Sequence, residues 1–244
     1  MSHAPDNKAI YDSNWKEWES MKRYGPMSRH VRRLALNECR KLTFDSLLDI
    51  GCGPGVFLDF MKTRYPSISL AGTDISTSAI SLARRSLSAC EFFEIDVSRN
   101  VPPGAWDLVT MIDVAEHIEE DAAAFAKIRD ICRKYLLILT LEGRMRSFEP
   151  EVGHVRNYKP GELRMKLENA GFSIVRYKRW GWPVYSPLYR DLSKSIGAHK
   201  KPMTALRKMM SYLVYALLLC NCPGKGDLVI VLAAPDGKKR AHAN

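Results

Sequence analysis

Short apolar runs rich in Leu, Ile and Val recur along this chain, separated by longer segments in which apolar residues return at helical spacing. The runs predict strands at 47–50, 68–73, 91–95, 106–112, 134–141, 172–180 and 227–234. The segments between them predict helices at 55–64, 76–88, 119–133 and 160–170, with an earlier helix at 28–42 that has Ser28 as its N-cap. Strands and helices in alternation imply a mostly parallel sheet with helices on both faces. Residues 1–27 predict an irregular arm that carries Tyr11, Trp15, Trp18 and Tyr24 and ends at Gly25-Pro26.

The first strand of the series runs into the segment Leu47-Leu48-Asp49-Ile50-Gly51-Cys52-Gly53-Pro54-Gly55, and a helix follows. Glycines let the backbone approach a ligand closely. The N-terminus of the next helix offers free N–H groups and the positive end of its dipole. A strand, a glycine turn and a helix in that order predict a ligand that carries a nucleoside and an anionic group. A dinucleotide fingerprint would read G-x-G-x-x-G, and Val56 stands where its third glycine belongs.

The D-x-G-C-G-x-G pattern resembles motif I of class I S-adenosylmethionine-dependent methyltransferases. Further segments follow in that family's order: Ile68-Ser69-Leu70-Ala71-Gly72-Thr73-Asp74, whose acid lies 23 residues beyond Gly51, then Phe92-Phe93-Glu94-Ile95-Asp96-Val97, then the strand that ends at Ile112-Asp113. The stretch 153–172, with Lys159-Pro160-Gly161-Glu162-Leu163, resembles the ubiquinone-type branch of small-molecule methyltransferases. The resemblance covers 47–180, extends to the last strand, and is weak over the arm and over 182–226. It implies an α/β, Rossmann-like sheet of seven strands, mostly parallel with an antiparallel last strand, and helices on both faces. It also implies a division into an arm and helix at 1–42 covering the cofactor site, a core at 43–181 plus 227–236, a helical insertion or lid at 182–226, and a basic tail at 237–244.

The same resemblance implies S-adenosyl-L-methionine as cofactor and gives each part of it a partner. The backbone of Gly51, Cys52, Gly53 and Gly55 holds the methionine end, with Asp49 near its ammonium. Asp74 takes the ribose hydroxyls, Ile75 packs on adenine, and Asp96 with the Val97 N–H reads the adenine edge. Ile112 closes the floor beside the sulfonium. An N-terminal arginine, Arg29 or else Arg33, meets the methionine carboxylate.

A methyl group on a sulfonium is already electrophilic, so the protein has to align an attacking atom and, where needed, remove its proton. Asp113, Glu116 and His117 follow the strand at 106–112, and His154 follows the strand at 134–141, both at carboxyl ends where ligands bind in such sheets. His117, His154 and Asp113 are the catalytic candidates. An imidazole suits a general base near neutral pH. Some relatives hold a metal on acids and histidines spaced like Asp113, Glu116 and His117, and in others the histidine only shapes the pocket. Aspartate stands here where the metal-binding relatives favour glutamate, so no metal is expected. The resulting expectation is an enzyme that methylates a small molecule at a hydroxyl oxygen. Methylation at nitrogen or carbon, an RNA 2′-O-methyltransferase, and a non-catalytic S-adenosylmethionine-binding subunit stay as alternatives.

Composition narrows the partners. Among 244 residues, 37 Lys and Arg oppose 27 Asp and Glu, a net charge of +10 that would attract polyanions. The basic residues are spread out, with no RNA-binding signature interleaved with aromatics, so nucleic acid is not the expected partner. An acidic acceptor would suit Arg144, Arg146 and Arg156, and an aromatic one would suit the arm. The cysteines Cys39, Cys52, Cys90, Cys132, Cys220 and Cys222 form no paired framework, and residues 1–8 have no apolar core of a signal peptide. Both features predict free thiols in a reducing cytoplasm. Within 182–226 the apolar piece 209–220 falls short of the ~20 residues that cross a bilayer. A helical lid is the expectation for it. A homodimer contact and a peripheral membrane contact through 203–222, beside Lys200, Lys201, Arg207 and Lys208, are the alternatives.

Overall fold

The computed structural model describes residues 7–192 and 204–237. Its strands are β1 (Ser46–Ile50), β2 (Ser69–Asp74), β3 (Glu91–Glu94), β4 (Trp106–Ile112), β5 (Cys132–Leu141), β6 (Phe172–Trp182), β7 (Cys222–Pro223) and β8 (Leu228–Pro235). Successive side chains of a strand point to opposite faces, and here both faces are covered. Leu47 and Leu108 enter one apolar layer, while Leu48, Ile50, Val109 and Met111 enter the other. Strands buried on both sides read as continuous apolar runs, which is why the central ones stand out in the sequence.

The sheet order is β3-β2-β1-β4-β5-β8-β6-β7. Neighbours from β3 to β5 pair in parallel, and β8 runs antiparallel between β5 and β6. The antiparallel last strand thus sits where the sequence places it. The sheet has eight strands rather than seven, because β7 adds a two-residue edge that pairs with Trp180 and Trp182 of β6. Helices α2 (Pro26–Cys39), α3 (Val56–Arg64) and α4 (Thr77–Ser86) supply the layer that contains Val31, Leu58 and Ile80. Helices α5 (Asp121–Ile131) and α6 (Glu162–Asn169) supply the other, with Phe125, Ile128 and Leu163.

The arm differs from its expectation. It forms a helix, α1 (Asn7–Tyr24), in place of an irregular segment. Tyr11, Trp15 and Trp18 recur at i, i+4 and i+7, so one helical face carries all three rings, and they pack edge-on or tilted on one another. The next helix begins at Pro26, two residues before the expected Ser28, with Gly25 as an extended N-cap and proline at the first helical position. Beyond β6 come a short irregular helix, Val184–Tyr189, and α7 (Ala205–Leu218), which packs on α2. Parts of the expected lid (193–203) and basic tail (238–244) lie outside the described residues. No helix among the described residues is long and apolar enough to cross a membrane.

Glu38 joins α2 to β6. Its carboxylate accepts from Lys41 Nζ at 2.8 Å, Arg176 Nη1 at 2.6 Å and Lys178 Nζ at 3.0 Å. Burial alone would raise its pKa, but these three cations outweigh burial and hold it at about 2. A carboxyl with a depressed folded pKa stabilises the protein above its unfolded value, and that contribution fades as pH falls toward the folded value. The cations are one-third or more exposed, which weakens the pair through solvent screening. Replacing Glu38 with Gln is therefore expected to cost about 1–2 kcal/mol in urea unfolding at pH 7. The difference from wild type should narrow below pH ~4.5.

Candidate functional site

β1 and β4 are neighbours whose following helices go to opposite faces of the sheet, which opens a crevice at their carboxyl ends. The turn after β1 lines it. Gly51 and Gly53 have φ of 66° and 54°, a left-handed backbone that favours glycine. A side chain at Gly51 would run into Val114, and one at Gly53 would meet the Trp15 ring at 2.7 Å. Gly55 plays another part. It caps α3 with φ 78° and faces Ala83 and Leu87, away from the crevice.

Two buried carboxylates flank this turn. Asp74, at the end of β2, accepts from the Gly53 N–H and the Ser76 N–H, each at 2.9 Å. Asp49, in β1, accepts from Thr110 Oγ1 at 2.7 Å. Burial raises the pKa of both against those hydrogen bonds, and Asp49 is pushed up to about 7. Lys22 is the cation that favours both charged forms, yet its Nζ lies 3.6 Å from Asp113 Oδ2. Buried acids that face a cavity without an ion-pair partner among the described residues suit a cationic or multiply hydroxylated ligand.

The cavity has a volume of about 830 Å³, toward the upper end of the roughly 300–1,000 Å³ usual for small-molecule sites. Asp49, Gly51, Cys52, Gly53, Asp74, Ile75, Asp96, Val97 and Ile112 all line it. So do Asp113, His117 and His154, together with Phe148, Val152, Tyr185, Tyr189 and Arg190. Helix α1 lies across it, with Tyr11, Trp15 and Trp18 facing in. The helix is held at several points. Asp12 accepts from Ser76 Oγ at 2.6 Å and the Ser78 N–H at 3.1 Å, and Lys8 pairs with Glu94 at 2.5 Å.

The residues expected to hold the cofactor therefore come together, apart from Gly55 and Arg29. Arg29 lies with its guanidinium 4.1 Å from each of the rings of Tyr212 and Tyr215 on α7, outside the cavity. Arg33 contacts His30 Nδ1 at 3.1 Å. Arg32 does line the cavity, but it donates to the carbonyls of Lys22 and Arg23, where it caps the carboxyl end of α1. Sequence reasoning missed Tyr185, Tyr189 and Arg190. Arg190 is buried and paired with Glu149 and with Asp227 Oδ2, the latter at 2.6 Å. No local pattern marks these residues, since partners at 149 and 227 meet Arg190 only in the folded chain.

At the end of β4, Asp113 is the one non-glycine residue with positive φ among the described residues, at 55°. Aspartate tolerates that region better than most side chains. Glu116 follows, its Oε2 accepting from Thr140 Oγ1 at 2.6 Å, and burial together with Asp113 raises its pKa. His117 Nδ1 is 2.7 Å from Tyr11 Oη, and its ring meets His154 edge-on with centroids 4.5 Å apart. Burial, then the neighbouring His154, holds the His117 imidazolium well below its usual range, so the ring is neutral near pH 7. Glu116, His117 and His154 offer one ligand atom each within 4.8 Å of one another, a donor set that suits a divalent ion.

A parallel sheet of this order with an antiparallel strand beside β5, and a glycine turn flanked by buried acids, defines the class I methyltransferase fold. Residues 18–177 match the family of methyltransferase domains, and the chain belongs to it: it is a class I S-adenosylmethionine-dependent methyltransferase. Among curated proteins it is similar to trans-aconitate 2-methyltransferase of Afipia carboxidovorans, 25% identical over 118 residues, which are 48% of this chain and 46% of that protein. The enzyme of that name from an Enterobacter species is 33% identical over 84 residues, 34% of this chain and 31% of the relative. The chain thus spans under half the length of these relatives.

Solved structures share the fold at lower identity. The [4+2]-cyclase SpnF superposes with a TM-score of 0.63 at 17% identity, covering 86% of this chain and 82% of its own. The N-methyltransferase NodS from Bradyrhizobium japonicum, in complex with S-adenosylhomocysteine, gives 0.61 at 12%, with 94% and 98% covered. Magnesium protoporphyrin IX methyltransferase from Synechocystis, with S-adenosylhomocysteine bound, gives 0.60 at 15%, again with 94% and 98%.

Replacing Gly53 with Ala tests the cradle. The left-handed backbone alone is expected to cost about 1–2 kcal/mol of stability. The new methyl group should also push the Trp15 ring off the turn. Urea unfolding and a red shift of tryptophan emission would report the two effects.

Proposed function

We propose that this methyltransferase transfers the methyl group of S-adenosylmethionine to a hydroxyl oxygen of a small molecule. The bound cofactor supplies an electrophilic methyl group on a sulfonium. Asp49 neutralises its ammonium, Asp74 accepts from the ribose hydroxyls, and Ile75, Asp96 and Val97 surround the adenine. Ile112 forms the floor next to the reacting end. Arg29 has no part in this reading, since its guanidinium is engaged by two tyrosines of α7.

One observation carries the choice of oxygen: a hydroxyl, Tyr11 Oη, already sits 2.7 Å from His117 Nδ1. An acceptor hydroxyl in the same place would have a neutral imidazole within proton-transfer distance. The Gly153 backbone hydrogen-bonds the ring and orients it. An amine with a free lone pair would need no such base. Tyr185 and Tyr189, stacked with ring centroids 6.2 Å apart, give a flat acceptor an apolar wall. His154 and Asp113 position His117 and the loop around it.

A second reading rests on the 4.8 Å cluster of Glu116, His117 and His154, which would let a divalent ion bind the acceptor oxygen and lower its pKa. The two readings separate in one assay. Purified protein and S-adenosylmethionine are offered phenols, carboxylic acids, amines and RNA, with and without EDTA, and methyl gain is read by mass. Methylation of a hydroxyl that persists in EDTA supports the first reading. Loss in EDTA, restored by magnesium or manganese, supports the second, and activity on amines or RNA alone overturns both.

The histidine itself gives a further expectation. His117→Ala should lower kcat by about 10²–10⁴ while leaving S-adenosylhomocysteine affinity unchanged in calorimetry. Tyr11→Phe should keep most of the turnover. The cofactor placement has its own test. With Asp49 titrating at about 7, S-adenosylhomocysteine affinity should rise about tenfold per pH unit up to that value and level off above it. Asp49→Asn should bind roughly 10–100-fold more weakly at pH 8 and show no such slope.

A further inference from the structure

The outer face of α7 departs from what water tolerates. Leu206, Met209, Met210, Leu213 and Leu217 follow one another along it at helical spacing, and each is at least half exposed. Ala205, Tyr212, Ala216 and Leu219 are exposed beside them, and the helix's two charged side chains, Arg207 and Lys208, are partly exposed in its first turn. The inner face accounts for its few polar contacts, with Ser211 donating to the Tyr24 carbonyl. Two further large apolar side chains are exposed on neighbouring elements. The segment 184–189 packs on α7 and exposes Leu188, and β6, beside the strand that follows α7, exposes Trp182.

The charges carried by this stretch of the sequence have one sign. Between Asp191 and Asp227 the chain contains no Asp or Glu, but it contains Lys194, Lys200, Lys201, Arg207, Lys208 and Lys225. Among those described, Arg207 and Lys208 lie in the first turn of α7, where Lys208 Nζ is 4.2 Å from the Tyr24 ring centroid, and Lys225 lies over the Trp182 ring at 5.6 Å. Two copies meeting through this face would bring like charges together. An anionic lipid surface would meet them with the opposite charge while taking the leucines and methionines into its acyl boundary. The helix is too short to span a bilayer, so it would lie in the plane of the surface.

We propose that α7, with Trp182 and Leu188 beside it, docks this protein on the surface of an anionic lipid bilayer. The surface adjoins the cavity, because the segment that exposes Leu188 also sends Tyr185 and Tyr189 into that cavity. The docking needs no particular acceptor and stands apart from the chemistry proposed above.

The test uses the full chain and vesicles. Flotation with vesicles of phosphatidylcholine containing phosphatidylglycerol should carry the protein. Pure phosphatidylcholine, or 0.5 M salt, should weaken binding by about tenfold or more. The double variant Met209→Glu, Leu213→Glu should lose flotation while keeping wild-type S-adenosylhomocysteine affinity and melting temperature, since both side chains are exposed. The milder pair Met209→Ser, Leu213→Ser should weaken flotation in the same direction. Equal flotation of wild type and both variants overturns the proposal. So does absence of flotation on anionic vesicles, and a dimer in light scattering that the glutamate variant dissociates would then assign the face to a second copy.

Discussion

Asp74 holds together what the rest of the site is built on. One of its oxygens takes the Gly53 N–H and the other takes the Ser76 N–H, so a single buried carboxylate ties β2 to the turn after β1 and to the start of α4. A charged group at that depth is costly unless it is satisfied, and two backbone donors satisfy it only if the glycine turn keeps its left-handed shape. The conformation of the turn and the ionisation of the acid thus depend on each other. Trp15 then rests on Gly53, and Asp12 reaches the Ser76 hydroxyl, so α1 finds its place on the same few atoms.

The opposite wall is built differently. Where Asp74 uses backbone donors, the loops after β4 and β5 are joined through Glu116. Its side chain meets Thr140, and its carbonyl accepts the Val155 N–H at 3.0 Å, which brings His154 to His117. Buried acids on both walls favour neutral forms, and two buried imidazoles do likewise. Burial thus shifts the groups nearest the proposed reacting end toward their neutral forms.

The sequence made the central strands and the glycine turn legible because both depend on local rules. Strands buried on two faces need unbroken apolar runs, and a left-handed turn needs glycine. The acids at the strand ends were legible through the resemblance to the methyltransferase family. The arm was misread because its polar residues mask a helix whose cavity-facing apolar residues are Tyr11, Trp15, Trp18 and Met21 among those described. The four-then-three spacing of the rings was the available signal. Arg29 could not be placed from sequence, since the rings that engage it, Tyr212 and Tyr215, are more than 180 residues away. The same holds for Arg190, whose partners Glu149 and Asp227 approach from either side in the chain.

Because Trp15 rests on the turn itself, α1 acts as a door as well as a wall. Any molecule that is to lie against Gly53 has to move that ring, and the ring is rigidly part of a helix pinned by Lys8 to Glu94, by Asp12 to Ser76 and by Lys22 to Asp113. These pins are polar and partly exposed, so each is weak and can part separately, whereas the aromatic face must leave as one body. In the proposed placement of the cofactor, exchange of spent for fresh cofactor would require this helix to move as a unit.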